Sequence, residues 1–230
     1  MMWQRLVEEA PQFFGYYNLI FLAEAAFATF ALSAVGCILG LVLGFLIAVA
    51  RRTVAWELVP LRAVAFLFTE FFRRVPFLVT LMLVFFIFQI AGADLSVFTV
   101  ALVSVVLIAT AFIAEIIRGG LESVHHNQWD AAAAMNFSLW QTLWHVVMRQ
   151  AWKVVLPPAF SFFILFIKDT ALASQIGVLE LTYAAKVLNN KGFSAALVFG
   201  SVLVLYFALS YPLTRLGVWM EARLATRRHR

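Results

Sequence analysis

Few residues in this chain have the types and spacing that chemistry needs, and most are charges set inside apolar stretches. Asp169 is the clearest. Counted from Pro158 at about 1.5 Å per residue, it stands roughly 16 Å into an apolar run, near the middle of a bilayer. An intramembrane charge costs about 2.5–3.5 kcal/mol on insertion scales, so it faces a partner or a cavity. A carboxylate there can meet an ammonium group on a passing solute, or act as a structural counter-ion. The neighbouring Lys168 points elsewhere on the helix and either pairs with another subunit or snorkels.

Glu70 lies three residues before Arg73 and four before Arg74, so on a helix the three share a face and pair. Pro76 kinks that helix and frees carbonyls that must line protein or water. One reading puts this kink beside a solute path. The other makes Glu70 and Arg73 a neutralising pair near the membrane surface. His125 and His126 do not share a helix face, and no HExxH spacing accompanies them, so they read as loop residues rather than metal ligands. The serines lack a base arrangement, and no G-x-x-x-x-G-K-[ST] phosphate loop occurs. Neither catalysis nor nucleotide binding is expected of this chain.

Composition sets the elements that must hold these residues. The 230 residues are 64% hydrophobic and 13% charged, with mean hydropathy +0.94. A soluble domain is about 45–50% apolar and about 25% charged. A bilayer must take the excess. The apolar runs go from about Leu19 to Ala50, Pro60 to Ala91, Leu95 to Ile117, Leu156 to Ile176 and Phe193 to Trp219. These lengths suit helical spans, so the fold class is an all-α integral membrane protein with about five transmembrane helices in one domain, 1–230. Glu8, Glu9 and Pro11, followed by a long apolar run, do not resemble a cleavable leader. The single Cys37 lies within the first run and excludes a disulfide framework.

Net charge +5 belongs to the membrane surface rather than to nucleic acid. With the N-terminus outside, the inner segments hold Arg51, Arg52, Arg62, Arg118, Arg149, Lys153, Arg215, Arg223, Arg227, Arg228 and Arg230. The outer segments hold Arg5, Lys186 and Lys191. By the positive-inside rule the C-terminus and the 118–155 segment are cytoplasmic.

Gly36, Gly40, Gly44 and Ala48 put small residues on one face of the first span, for packing within the chain or between subunits. The 118–155 segment is too polar to span. Asn127 is expected to cap a short helix with Asp130 in its first turn, and Ala131 to Ala134 continue it. Ser138 and Gln141 form a capping box for a second helix, whose stripe of Trp140, Leu143, Trp144, Val147, Met148 and Ala151 is expected to end at Pro157 and Pro158. Such an elbow is either a docking site, with Trp129 and Met135 as anchors, or an amphipathic helix lying on the membrane.

Specific blocks sharpen the choice. Glu70-Phe71-Phe72-Arg73-Arg74-Val75-Pro76, Ala114-Glu115-Ile116, Arg118-Gly119-Gly120-Leu121 and Gln128-Trp129-Asp130-Ala131-Ala132 occur in that order. Leu156-Pro157-Pro158, Lys168 to Ser174, Ile176-Gly177-Val178 and Glu180-Leu181-Thr182 follow. Over roughly residues 20–215 this resembles the permease subunits of polar amino-acid ABC transporters, whose cytoplasmic EAA loop it matches. The resemblance implies a type I importer (MetI-like) fold and a second permease subunit, non-identical or identical. It also implies two ATP-binding subunits carrying ATP and Mg, and a soluble amino-acid-binding protein. Trp129, Asp130, Ala131, Ala132, Met135 and Asn136 would couple to the ATPase, and Asp169, Glu70, Arg73 and Lys168 would line the substrate path. Arg73-Arg74-Val75-Pro76 leans toward glutamate, aspartate or glutamine. Asp130 replaces the loop's usual glutamate, and Asn136 its glycine, a position where both residues tolerate left-handed backbone. Met148-Arg149 replaces Leu-Pro, and Ser161-Phe162 replaces an Asn-Glu pair. A self-sufficient channel or secondary carrier is the competing reading, and it would need no docking loop.

Overall fold

The computed structural model describes residues 2–52 and 58–225. In chain order it has α1 (Met2–Phe13), α2 (Tyr16–Arg52), α3 (Val59–Phe72), α4 (Phe77–Ile90), α5 (Val97–Glu122), α6 (His126–Ala134) and α7 (Leu139–Gln141). A π-helical turn (Thr142–Val147) joins α7 to α8 (Met148–Asp169), and a 3-10 turn (Thr170–Ile176) follows. The order closes with α9 (Leu181–Asn190) and α10 (Ala195–Ala225). Among the described residues, four stretches are long and apolar enough to cross a membrane: Tyr16–Arg52, Val97–Glu122, Leu139–Ile176 and Ala195–Leu224. Counting α3 and α4 as one broken crossing makes five.

Three expectations need correction. The second span is not a kinked helix: α3 ends at Phe72, and Pro76 stands outside α4 as its N-cap with ψ 140°. Proline excludes the α conformation at the residue before it, so the helix stops and restarts. Arg118 to Glu122, expected in a loop, continue α5. Pro157 and Pro158 end nothing and sit inside α8. They leave the carbonyls of Lys153 and Val154 without amide partners from these positions, and both residues are exposed.

The chain gathers into two compact units, and α2, α5, α8 and α10 contribute residues to both. The first comprises Met1–Gly36, Pro76–Val105 and Phe163–Thr214. Its core is built on α9, whose Leu181, Ala184, Ala185 and Leu188 recur at helical spacing and are fully buried. They pack with Phe13, Leu22, Ala25, Val198 and Val202. Phe13 meets Phe193 edge-on at 5.4 Å, and the Ser194 amide donates to the Glu9 carboxylate at 2.7 Å, closing α1 onto the start of α10.

The second unit comprises Cys37–Val75, Val106–Phe162 and Arg215–Arg230. Here the small-residue face of α2 packs within the chain. A Cβ added to Gly40 would stand 2.5 Å from the Ala109 methyl, and one on Gly44 would stand 2.9 Å from the Ala114 amide nitrogen. α2 and α5 touch backbone to backbone, and only glycine permits it.

Candidate functional site

In the second unit the charges expected to pair do so, within a larger cluster. Arg74 donates to Glu70 at 2.5 Å, and Arg73 stands 3.7 Å from the same carboxylate. Arg73 also lies 3.6 Å from Glu115. Glu115, on α5, is the hub: it accepts from Arg51 at 3.1 Å and from Arg118 at 3.0 Å and 2.5 Å. Arg118 reaches on to Glu122, and Arg51 also donates to the buried Thr69 hydroxyl. A carboxylate drawn partly out of water this way is tolerable because three guanidiniums surround it. Glu70 and Arg73, the C-cap of α3, are thus ion-paired at the end of that helix. The sequence signal for the hub was present, since Glu115, Arg118 and Glu122 share one face at the polar end of an apolar helix.

The elbow folds as one short helix, α6, followed by the start of the continuous helical stretch that runs from Leu139 into α8, with one cap displaced. His125, not Asn127, is the N-cap of α6, its Nδ1 accepting from the Asn127 amide at 3.3 Å. The Ser138–Gln141 capping box forms: Ser138 Oγ accepts from the Gln141 amide, and Gln141 Oε1 from the Ser138 amide. Asn136 takes φ 57°, the left-handed conformation that turns the chain between the helices. The structure then sorts the docking residues. Asp130, Ala131, Met135 and Asn136 are exposed, Met135 at 59%. Ala132 is only 1% exposed and packs inward, so its small size serves this chain's own fold. Trp129 also turns inward, its indole ring beneath the Arg52 guanidinium at 4.1 Å. Ala132 is covered by its own chain, and Trp129 is half-buried. The expected stripe divides too: Leu143, Val147 and Ala151 are buried, whereas Trp140 and Trp144 lie exposed.

In the first unit Asp169 is the last residue of α8, half-buried, between exposed Lys168 and fully buried Thr170. It has no ion pair or hydrogen bond to any described residue. Beyond it, the 3-10 turn buries Thr170, Ala173 and Ser174 and stops at Gly177, with φ 86°.

Sequence reasoning gave no role to Glu180. Its side chain is 0% exposed and caps α9, accepting from the amides of Thr182 at 2.9 Å and Tyr183 at 2.7 Å. The Tyr206 hydroxyl donates to it at 2.8 Å. Burial pushes the Glu180 carboxyl above its ordinary range, against the pull of these three donors and nearby Lys186. Lys186 itself donates to Ser174 at 3.0 Å, tying α9 to the 3-10 turn after Asp169. An acidic residue just before a helical period is a readable cap, but its burial is not.

Residues 40–226 match the family described as binding-protein-dependent transport system inner membrane component. Similar proteins include a probable amino-acid ABC transporter permease, YckA, of Bacillus subtilis, 34% identical over 181 residues, 79% of each chain. The glutamine transport system permease GlnP of Escherichia coli is 34% identical over 205 residues, 88% of this chain and 92% of that one. In fold the chain resembles a crystal structure of an amino acid ABC transporter, with TM-score 0.81 at 24% identity over 90% of this chain and 95% of that one.

Proposed function

Because the chain belongs to the family of binding-protein-dependent transport system inner membrane components, we propose that it is the permease subunit of an ABC importer for a polar amino acid. Glutamine is the favoured substrate, with glutamate and aspartate next, on the likeness to the glutamine permease and the Arg73-Arg74-Val75-Pro76 block. A second permease subunit would complete the path. A soluble binding protein would deliver substrate from outside, and two ATP-binding subunits would hold ATP and Mg. The Lys and Arg distribution puts the N-terminus outside and the elbow in the cytoplasm.

The observation that carries the substrate role is Asp169. A half-buried carboxylate that forms no ion pair among the described residues, with only the exposed Lys168 next to it in sequence, offers what an amino acid's ammonium group needs. The 3-10 turn links it through Ser174 and Lys186 to α9. Coupling falls to the exposed face of α6, where Asp130, Ala131, Met135 and Asn136 can meet an ATPase subunit. Movement of α6 is passed to α2 through Arg52 and Trp129. The Glu115 cluster holds α2, α3 and α5 together while that happens.

Reconstitution tests this reading. The chain, co-expressed with an ATP-binding subunit and a partner permease, is expected to co-purify with them and to take up labelled glutamine only with ATP and binding protein. A cysteine replacing His126 should label only from the cytoplasm, and one replacing Asn189 only from outside. Solute flux from the isolated chain without ATP would make it a channel or carrier instead.

A further inference from the structure

A groove in the second unit has no part in the function above. It holds about 800 Å³ between α2, the end of α5 and the segment 140–152. Leu41, Val42, Phe45 and Leu46 form one wall, and Trp140, Trp144, Met148 and Trp152 the other, with Arg149 the one charged group among the described residues lining it. Val42 and Leu46 stand about 8–14 Å along α2 from Arg51, where the first apolar run stops. At that distance from the end of the apolar run they lie among acyl chains, with the headgroups toward Arg51.

The indole wall is built by the π turn. From Trp140 to Trp152 an unbroken α-helix would rotate about 120° past whole turns, spreading the ring positions around the helix. The one extra residue of a π turn removes about 100° of that drift. Trp140 and Trp144, four residues apart, stack at 6.4 Å and 13° from parallel, and Phe45 meets Trp140 edge-on. Beside this stripe His145, Arg149 and Lys153 recur at four-residue steps, all exposed, and neither Arg149 nor Lys153 has an ion-pair partner among the described residues. Among the described residues no acidic side chain lines the groove.

We propose that this groove binds an anionic phospholipid of the bilayer, with an acyl chain along the indoles and the phosphate at Arg149. Tryptophan belongs at the membrane interface, its apolar ring beside acyl chains and its N–H toward water. Unpaired cations on the same helix supply the charge that a zwitterionic lipid does not balance. A docked protein segment would need carboxylates at Arg149 and Lys153, whereas a lipid whose acyl chain fills the groove brings its own phosphate at the headgroup end.

The test places the assembled complex in nanodiscs of phosphatidylcholine, with either brominated phosphatidylglycerol or brominated phosphatidylcholine as a minor component. Bromine quenches indole emission on contact. Brominated phosphatidylglycerol should quench more than an equal fraction of brominated phosphatidylcholine. The excess should vanish in Arg149→Gln and persist in Arg149→Lys. Equal quenching by the two lipids overturns the proposal, as does an excess that survives Arg149→Gln. Absence of quenching by either lipid means that a protein fills the groove, which overturns it too.

Discussion

The guanidinium of Arg52 lies over the indole ring of Trp129, 4.1 Å from its centroid, and so ties the last residue of α2 to the middle of α6. Such a contact is worth about 0.5–1 kcal/mol when exposed and ~2 kcal/mol when desolvated. It fixes the elbow without a salt bridge. Arg52→Gln is expected to leave assembly intact and to lower substrate-stimulated ATP hydrolysis, while Arg52→Lys, still a cation, retains most of it. Equal loss in both variants would show that charge over the ring is not what matters.

Ala132 and Met135 separate fold from docking. Ala132 is buried against its own chain and Met135 projects. Ala132→Glu forces a carboxylate into a dry, packed position and should lower the yield and melting temperature of the permease itself. Met135→Glu should leave both unchanged and reduce co-purification of the ATP-binding subunit. Normal co-purification of Met135→Glu would remove α6 as the docking element.

Glu115 holds Arg51, Arg73 and Arg118 at once. Glu115→Gln leaves three guanidiniums facing each other with one carboxylate fewer. The destabilisation should fall short of the ~3–5 kcal/mol of a fully buried broken pair, because the cluster is partly hydrated. Adding Arg73→Gln should restore part of the loss, a coupling read from a double-mutant cycle on melting temperature. Strict additivity would dissolve the hub.

Asp169→Asn keeps size and deletes charge. Uptake in reconstituted vesicles should fall at least tenfold, or ~1.4 kcal/mol, with unchanged yield, melting and ATPase co-purification. If transport and melting fall together, Asp169 is a structural counter-ion to a cation on another subunit. Unchanged uptake at normal yield defeats both roles.

Glu180 gives the fold a pH dependence of known sign. Its carboxyl is raised on folding, so the native state holds the proton more tightly than the unfolded chain. That contribution is complete below the unfolded value, about 4.3, and is lost as pH rises through the folded value. Glu180→Gln should therefore flatten the fall in melting temperature across that window. A slope identical to the parent's would mean that Glu180 does not titrate there.

The spans were legible because apolar length alone dictates them, and the family blocks were legible because they sit in fixed order. What escaped depended on distance or direction. Glu115 meets Arg51 across 64 positions of sequence, and Tyr206 reaches Glu180 across 26. Four successive alanines look alike from every side, so nothing in Ala131 to Ala134 told that Ala132 alone turns inward. Pro157 and Pro158 read as a stop by soluble-protein rules, yet α8 passes through them, with Lys153 and Val154 one turn before at exposed positions.

The wide turn at Thr142–Val147 has a genetic consequence. It stores one residue more than an α-helix needs to join the same two ends. A single-codon deletion inside it can therefore be absorbed by closing the turn to ordinary α pitch, with α7 and α8 still facing as they do now. The same deletion between Met148 and Leu156 has no slack to consume and would swing the preceding indoles by about 100°. Length variants within this segment should thus be tolerated at Thr142–Val147 and lost just after it.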